Sequence, residues 1–211
     1  LSDPPIAPPY TSLFLMKTIY SVLLALIEIV FWIITKPFES PFSPSHYYIL
    51  EFLVIGFPSF FLALQPNKMR ISGSFNRNVL FKALPGGLSL LLSVCLILII
   101  SAIPAFQINN DEIGTLMATL TLSYTGLVIL FEICRPFNKY RLTLFMVMLS
   151  IAVIYTAFFL LSVSKFTIRF SELNIINWVT IIGVTIISCV FYLLVEYLRY
   201  RYNKKHEETD H

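Results

Sequence analysis

The stretch EFLVIGFPSFFLALQPNKMR, residues 51–70, decides how the chain is interpreted, because it is apolar enough for a membrane-spanning helix and yet holds two groups that such helices avoid. Glu51 carries a carboxylate, and a charged carboxylate near the centre of a spanning helix costs roughly 2.5–3.5 kcal/mol on insertion scales. Pro58 has no backbone N–H to donate and distorts the turn before it. A helix that keeps both groups is predicted to have a functional role.

The whole chain has the composition of an integral membrane protein. Of its 211 residues, 57% are hydrophobic and only 13% are charged, and the mean hydropathy is +0.78, whereas soluble domains carry about 25% charged residues. The net charge of +3 is too small to indicate a nucleic-acid partner, so the lipid bilayer is the predicted surrounding. Cys95, Cys134 and Cys189 lie far apart in apolar runs and are interpreted as packing residues rather than metal ligands.

Six apolar runs are long enough to cross a bilayer, whose core of about 30 Å requires roughly 20 residues of helix. They lie at about 13–35, 48–66, 83–103, 113–134, 142–163 and 175–198. The chain is therefore predicted to be an all-α membrane protein, a six-transmembrane-helix bundle at 12–202 whose second helix is unwound at its proline. A proline-rich tail or junction is predicted at 1–11 and a cytoplasmic tail at 203–211. The Gly86–Gly87 pair after Pro85 is interpreted as a helix-start feature.

The distribution of basic residues predicts the orientation of the bundle. The connections after the second and fourth spans, together with the C-terminal tail, hold eleven Lys and Arg residues, and the other three connections hold three. Because short cytoplasmic segments are enriched in Lys and Arg, both termini are predicted to be cytoplasmic. The predicted location is a cell membrane, which the chain crosses several times.

Two ionisable residues lie inside the first span, and such residues are functional candidates. Lys17 and Glu28 are eleven residues apart, which places them on nearly the same face of a helix, roughly 16 Å apart along its axis. Two interpretations without a transport role stay open. The Lys17 side chain could extend to the lipid headgroups, and Glu28 could be a structural residue whose carboxylate is paired within the protein.

The second span combines several oxygen donors on one helical face. Glu51, Ile55, Pro58 and Ser59 follow one another at helical spacing, and Pro58 leaves the carbonyl of Val54 without its helical partner. The Glu51 carboxylate, the carbonyls of Val54 and Ile55 and the Ser59 hydroxyl would form a site for a hard cation, with Glu51 as the metal ligand. The alternative is a packing kink with Glu51 reaching the outer headgroups.

Sequence motifs typical of soluble enzymes are absent. It contains no G-x-x-x-x-G-K-[ST] loop, no H-E-x-x-H and no G-x-S-x-G, the motifs of phosphate binding, zinc proteolysis and serine hydrolysis. The chain alone is therefore expected to carry no catalytic residue, and whether it is part of an enzyme stays open at this point.

A family resemblance enters through the second span and the segment after it. IGFPSFFLALQPN (55–67) followed by KMRISGSFNRNVLFKALPGG (68–87) resembles the membrane half of bacterial P-type (E1–E2) cation-transporting ATPases, with Gly56 and Pro58 forming the G-x-P break of their sixth helix. SLFLMKTIYSVLLALIE (12–28) is similar to their fifth helix, and CRPFNKYR (134–141) to the turn after their eighth. The resemblance implies that the chain supplies helices five to ten.

The resemblance also implies what this chain would need from elsewhere. Pumps of this family are driven by phosphorylation of an aspartate in a cytoplasmic domain, but the D-K-T-G, T-G-E and G-D-G-x-N-D motifs are absent here. The implied partners are therefore the missing cytoplasmic ATPase domains and helices one to four. The chain itself is expected to hold no cofactor: ATP and Mg²⁺ would act only through those domains, while a cation would be transported. The implied location is the bacterial plasma membrane.

Comparison with the family motif refines the candidate site. Calcium pumps have D-G-L-P where this chain has IGFP (55–58), so Ile55 replaces a ligand aspartate and Glu51 offers a carboxylate one turn further out. An ungapped match places Lys17 and Thr18 at the ligand level of the fifth helix, whereas a gapped match places Glu28 there, and both matches stay open. At that level Lys17 would act as a built-in counter-cation.

The leading hypothesis is therefore the transmembrane transport segment of a P-type ATPase that moves Ca²⁺, Mg²⁺, Mn²⁺ or a monovalent ion. One alternative is a stand-alone six-helix membrane protein with a structural or partner-binding role. Another is a lipid-transporting relative, because Ile55 replaces the expected acid. An intramembrane enzyme or a small secondary transporter is a further alternative.

Overall fold

The computed structural model of the protein describes residues 9–35, 51–64, 75–101, 103, 111–160 and 173–207. Over these residues all regular structure is helical, which confirms the predicted all-α class. A π-helix at Glu51–Gly56 precedes the second of six α-helices. The α-helices are α1 (Pro9–Thr35), α2 (Phe57–Ala63), α3 (Phe75–Ser101), α4 (Asp111–Cys134), α5 (Lys139–Leu160) and α6 (Ile175–Glu207).

Four of these helices are long and apolar enough to cross a membrane. The qualifying segments are Leu13–Val30, Leu80–Ser101, Ile113–Cys134 and Ile175–Arg201. The described part of the predicted second span is a π-helix of 6 residues and an α-helix of 7, short of the roughly 20 that a span requires. A multi-pass helical membrane protein is therefore supported, while the count of six spans and the cytoplasmic termini stay predictions.

Two helix ends extend into the predicted tails. α1 begins at Pro9, inside the proline-rich segment predicted as a tail, because a proline is tolerated in the first turn of a helix, where its missing N–H has no helical partner to lose. α6 continues to Glu207, beyond the predicted end of the transmembrane domain. Both differences change helix lengths but leave the order of the elements as predicted.

α3 is the central helix of the bundle. It packs against α1, α4 and α6, and α4 packs in turn against α5 and α6. The π-helix lies against α1, α4 and α5, and α2 lies against α1 and α5. The core between these helices is formed by fully buried side chains such as Leu90, Met117 and Leu130. The arrangement places α2 between α1 and α5, with Pro58, Ser59 and Leu62 buried.

The interpretation of Gly86–Gly87 as a helix start is wrong, although the apolar segment Leu80–Ser101 lies close to the predicted third span at 83–103. α3 begins at Phe75 and continues through Pro85 and both glycines. A Cβ atom on Gly86 would lie 2.4 Å from the sulfur of Met16, and one on Gly87 would lie 3.2 Å from the backbone oxygen of Met16. The glycine pair is therefore a contact surface that lets the backbone of α1 approach α3 closely, as small residues do in membrane bundles.

Pro85 is accommodated inside α3 with the help of a side chain from α6. A proline at this position has no N–H to donate to the carbonyl of Phe81. The Arg199 guanidinium of α6 donates to that carbonyl at 3.5 Å. A side chain of a neighbouring helix thus replaces the hydrogen bond that the proline removes, as membrane proteins require. The Ser89 hydroxyl donates to the carbonyl of Pro85 at 2.7 Å, which is the bond that a serine in an apolar helix ordinarily makes to its own helix.

Candidate functional site

The backbone leaves α geometry in the segment that the sequence singles out. Glu51–Gly56 is π-helical, and α2 follows directly with Pro58 in its first turn. The unwinding predicted at Pro58 is not observed as an open loop, because the segment widens and stays helical. A proline costs least in the first turn of a helix, which explains why α2 can begin here. Single-turn π segments in membrane and soluble helices are frequent at functional sites.

The junction between the two helical geometries has too few backbone donors. A π-helix pairs each carbonyl with the amide five residues later, and an α-helix with the amide four residues later. Where π gives way to α, two carbonyls therefore compete for one amide, and Pro58 removes a further amide. The backbone around residues 53–55 consequently has more carbonyl oxygens than helical donors. This is the region of the carbonyl ligands predicted for Val54 and Ile55.

Ser59 is the candidate ligand whose surroundings the structure defines best. The residue is 0% exposed, and its Oγ has no hydrogen-bond partner among the residues that the structure describes. A hydroxyl within an apolar helix ordinarily donates to a carbonyl of its own helix, as Ser89 does. An unsatisfied buried polar group costs about 1–3 kcal/mol. The structure therefore retains an oxygen in a dry interior, one residue after Pro58, at an energetic cost.

Neighbouring side chains hold this segment in place. Ile55 and Leu62 are each 2% exposed and belong to the core, so at Ile55 only the carbonyl offers an oxygen. The rings of Phe57 and Phe61 lie 4.4 Å apart. The hydroxyl of Tyr140, at the start of α5, donates to the carbonyl of Phe61 at 2.9 Å and satisfies one of the last carbonyls of α2.

Two predicted ligands lie partly outside the described structure. The backbone of Glu51 and Val54 belongs to the π-helix, but their side chains fall outside the described residues, so Glu51 as a metal ligand stays a prediction. Among the residues that the structure describes, no group of three or more His, Cys, Asp or Glu side chains converges. A cation at this site would thus need backbone and hydroxyl oxygens beside any carboxylate.

The three candidate residues of α1, Lys17, Thr18 and Glu28, differ in how deeply they are buried. Thr18 is exposed and its hydroxyl donates to the carbonyl of Phe14 at 3.1 Å, so its hydroxyl is engaged with its own helix. Lys17 and Glu28 are half-buried, and each interacts with another group. Between them Tyr20 is buried. Lys17 and Glu28 therefore border the packed face of α1, whereas Thr18 does not join Ser59 in the interior.

Three buried polar residues escaped the sequence analysis. Thr125 of α4 and Ser188 of α6 are each 0% exposed, and Asn177 of α6 is 1% exposed. Their hydroxyl and amide atoms, like the Ser59 hydroxyl, have no hydrogen-bond partner in the described structure. Ser, Thr and Asn occur at many positions in these apolar helices, so only the burial that helix packing produces distinguishes these three.

Comparison with known proteins finds relatives that are named calcium- or cation-transporting ATPases. The chain is 35% identical over 143 residues to the calcium-transporting ATPase CtpE of Mycobacterium tuberculosis and 34% identical over 145 residues to CtpE of Mycolicibacterium smegmatis. It is 33% identical over 135 residues to the probable cation-transporting ATPase exp7 of Streptococcus pneumoniae. These matches cover 63–64% of this chain and 17–18% of the relatives.

No protein-family model matches the chain, and no solved structure matches it. The sequence relatives carry the assignment, and they agree with the family that residues 55–87 resemble. The chain spans less than a fifth of their length, and four of its helices are suited to a bilayer. It is homologous to a portion of the P-type cation-transporting ATPases.

Proposed function

We propose that the chain is the transmembrane transport segment of a P-type ATPase and that it moves a cation through the bundle beside the π-helix. The observation that carries the proposal is the fully buried hydroxyl of Ser59, which has no hydrogen-bond partner in the described part of the chain and lies shortly after the π-helix, next to Pro58. Because such a hydroxyl destabilises an empty bundle, a ligand that uses it accounts for its retention.

The proposed site is built from oxygen atoms. The Ser59 hydroxyl, the under-paired carbonyls of Val54 and Ile55 and the Glu51 carboxylate would coordinate a partly dehydrated cation, while Pro58 maintains the break. Hard cations prefer oxygen ligands. Since three of the relatives are named calcium-transporting, Ca²⁺ is the first cation to test, with Mg²⁺, Mn²⁺ and monovalent ions as the other candidates.

α1 would contribute charge at the edge of this site. It packs against α2 and the π-helix, and its half-buried Lys17 and Glu28 are the remaining charged candidates from the sequence. Glu28 would add a carboxylate to the pathway. Lys17 would act as a built-in counter-cation that reduces the number of ions carried in each cycle.

The energy for transport would come from parts of the protein that this chain lacks. Its sequence has no aspartate phosphorylation motif, so ATP and Mg²⁺ would act on cytoplasmic domains joined to this segment, together with helices one to four. The proposed location is the bacterial plasma membrane, in keeping with the bacterial relatives.

The test uses the full-length ATPase that contains this segment, reconstituted in vesicles. We expect Glu51→Gln and Ser59→Ala to reduce Ca²⁺-stimulated ATP hydrolysis and Ca²⁺ uptake, with the larger loss for Glu51→Gln because it removes a charge. Ser89→Ala is the matched control, since the Ser89 hydroxyl is bonded to its own helix. Wild-type stimulation in both variants would remove the site from the transport pathway.

A further inference from the structure

A group of charged residues lies at one end of the bundle, where three apolar segments end together. Leu80–Ser101 begins there, and Ile113–Cys134 and Ile175–Arg201 finish there. We define the interfacial charge cluster as Lys82 of α3, Glu132 and Arg135 at the end of α4, Arg141 of α5, and Glu196 and Arg199 of α6. Four cations thus face two carboxylates at the level where the bilayer meets water.

Both carboxylates of the interfacial charge cluster are already engaged. Glu196 forms a salt bridge with Arg199, and Glu132 forms one with Arg135 through two contacts of 3.1 and 3.2 Å. The charges of Arg199, Glu196 and Arg141 all act on the Lys82 ammonium. Within the described residues Lys82 forms no salt bridge of its own, although it is half-buried. The cluster therefore has an excess of positive charge at a partly desolvated position.

Arg199 is held rigidly beside this excess charge. Its side chain is 22% exposed, and its guanidinium donates to Glu196 and to the carbonyl of Phe81, the residue before Lys82. These contacts use two of the five donors of the guanidinium, so others are left for an anion. A fixed guanidinium next to a lysine is suited to phosphate oxygens, which form strong charge-assisted hydrogen bonds.

We propose that the interfacial charge cluster binds the phosphate of an anionic phospholipid headgroup, with Lys82, Arg141 and Arg199 as the binding residues. Basic pockets between helices at the membrane boundary recognise such headgroups. The bilayer is the source because exposed apolar side chains, among them Leu80, Phe81 and Leu198, lie beside the cluster and offer a surface for the acyl chains. This site is separate from the cation site proposed at Ser59, and it does not depend on transport.

The test measures lipid binding to the purified full-length protein by native mass spectrometry, with phosphatidylglycerol and phosphatidylcholine as the probes. We expect wild-type protein to prefer phosphatidylglycerol and Lys82→Gln to weaken that binding about five-fold, the effect of one basic residue at the membrane surface. Lys82→Arg should retain binding because it keeps the charge. Lys139→Gln is the matched control: it removes the same charge at the same end, from an exposed residue.

Several outcomes would overturn the proposal. Equal losses of phosphatidylglycerol binding in Lys82→Gln and Lys139→Gln would mean that the lipid responds to the overall surface charge and not to a site at Lys82. Displacement of phosphatidylglycerol by millimolar inorganic phosphate would identify a free-phosphate site instead of a lipid site. If Lys82→Gln does not fold, Arg141→Gln replaces it: a similar loss would support the cluster, and unchanged phosphatidylglycerol binding would contradict it.

Discussion

Two prolines in the described helices, Pro58 and Pro85, have different hydrogen-bonded surroundings. At Pro85 the interruption is repaired from another helix, since Arg199 of α6 donates to the carbonyl of Phe81. At Pro58 the chain widens into a π-helix, and the adjacent Ser59 hydroxyl has no hydrogen-bond partner among the described residues. A proline whose lost hydrogen bond is replaced serves the architecture. The proline beside the unsatisfied hydroxyl lies where the proposed function places the cation.

The largest expected effect comes from exchanging each proline for alanine in the full-length ATPase that we propose contains this segment. Pro58→Ala restores a backbone donor and should displace the oxygens of the proposed site, reducing Ca²⁺ uptake about 10²-fold, as small misplacements at functional sites do. Pro85→Ala should leave uptake near wild type, because Arg199 already donates to the carbonyl of Phe81. Uptake by reconstituted vesicles checks both variants, and equal effects would remove the distinction between the two prolines.

The next effect concerns the packing role of the Pro85 region. Gly86→Ala places a Cβ 2.4 Å from the Met16 sulfur and should lower the free energy of unfolding by about 1–3 kcal/mol, the usual cost of overpacking. Thermal unfolding in detergent measures the change. Gly183→Ala of α6 is the matched control, since nothing lies within 4 Å of its added Cβ; a loss of the same size there would point to helix-wide effects instead.

A smaller effect is expected where α6 supports α3. Arg199→Gln removes the salt bridge to Glu196 and the donor to the carbonyl of Phe81, and should destabilise the protein by about 1.5 kcal/mol, as for other hydrogen bonds to charged groups. In Pro85→Ala protein the loss should shrink, because the new amide serves the carbonyl of Phe81. A double-mutant cycle of melting temperatures tests this, and strictly additive effects would contradict it.

The smallest expected effect is on the free energy of unfolding, which should change in opposite directions when Ser59 and Ser89 are replaced by alanine. In cation-free protein Ser59→Ala should raise the free energy of unfolding by about 1 kcal/mol, since it deletes an unsatisfied buried hydroxyl. Ser89→Ala should lower it by about 0.5–1 kcal/mol, because it deletes a satisfied one. Melting temperatures in chelator-treated detergent samples compare the two. A destabilising Ser59→Ala would mean that this hydroxyl is satisfied in the protein.

Much of the architecture can be predicted because bilayer physics acts on the sequence directly. A stretch of apolar residues long enough to span hydrocarbon must be helical, so α1, α4 and α6 lie where the apolar runs predict them. At Gly86–Gly87 the local sequence pattern predicted a helix start that the structure does not have. Proline and glycine usually mark turns, but the close contact with Met16 of α1 and the hydrogen bond from Arg199 of α6 to the carbonyl of Phe81 support a continuous α3 there.

The candidate site was predictable in part. The unusual composition of residues 51–59 drew attention to Pro58 and Ser59. The structure has altered helical geometry at this segment and, among the described residues, no hydrogen-bond partner for the Ser59 hydroxyl. The burial of Ser59 and the exposure of Thr18 could not be predicted, because both are hydroxyl residues in apolar helices and only the neighbouring helices decide which face is enclosed. Thr125 and Ser188 went unnoticed for the same reason.

By itself the sequence determined the helical membrane class and the resemblance to cation-transporting ATPases, since both follow from composition and from short motifs along one chain. Only the tertiary structure decided which interruptions are repaired, because the donors that repair them come from elsewhere in the bundle. Arg199 lies far from Phe81 in sequence and meets it only when α6 packs on α3. Hydrogen bonding in a dry interior is a property of neighbouring helices, and no single segment encodes it.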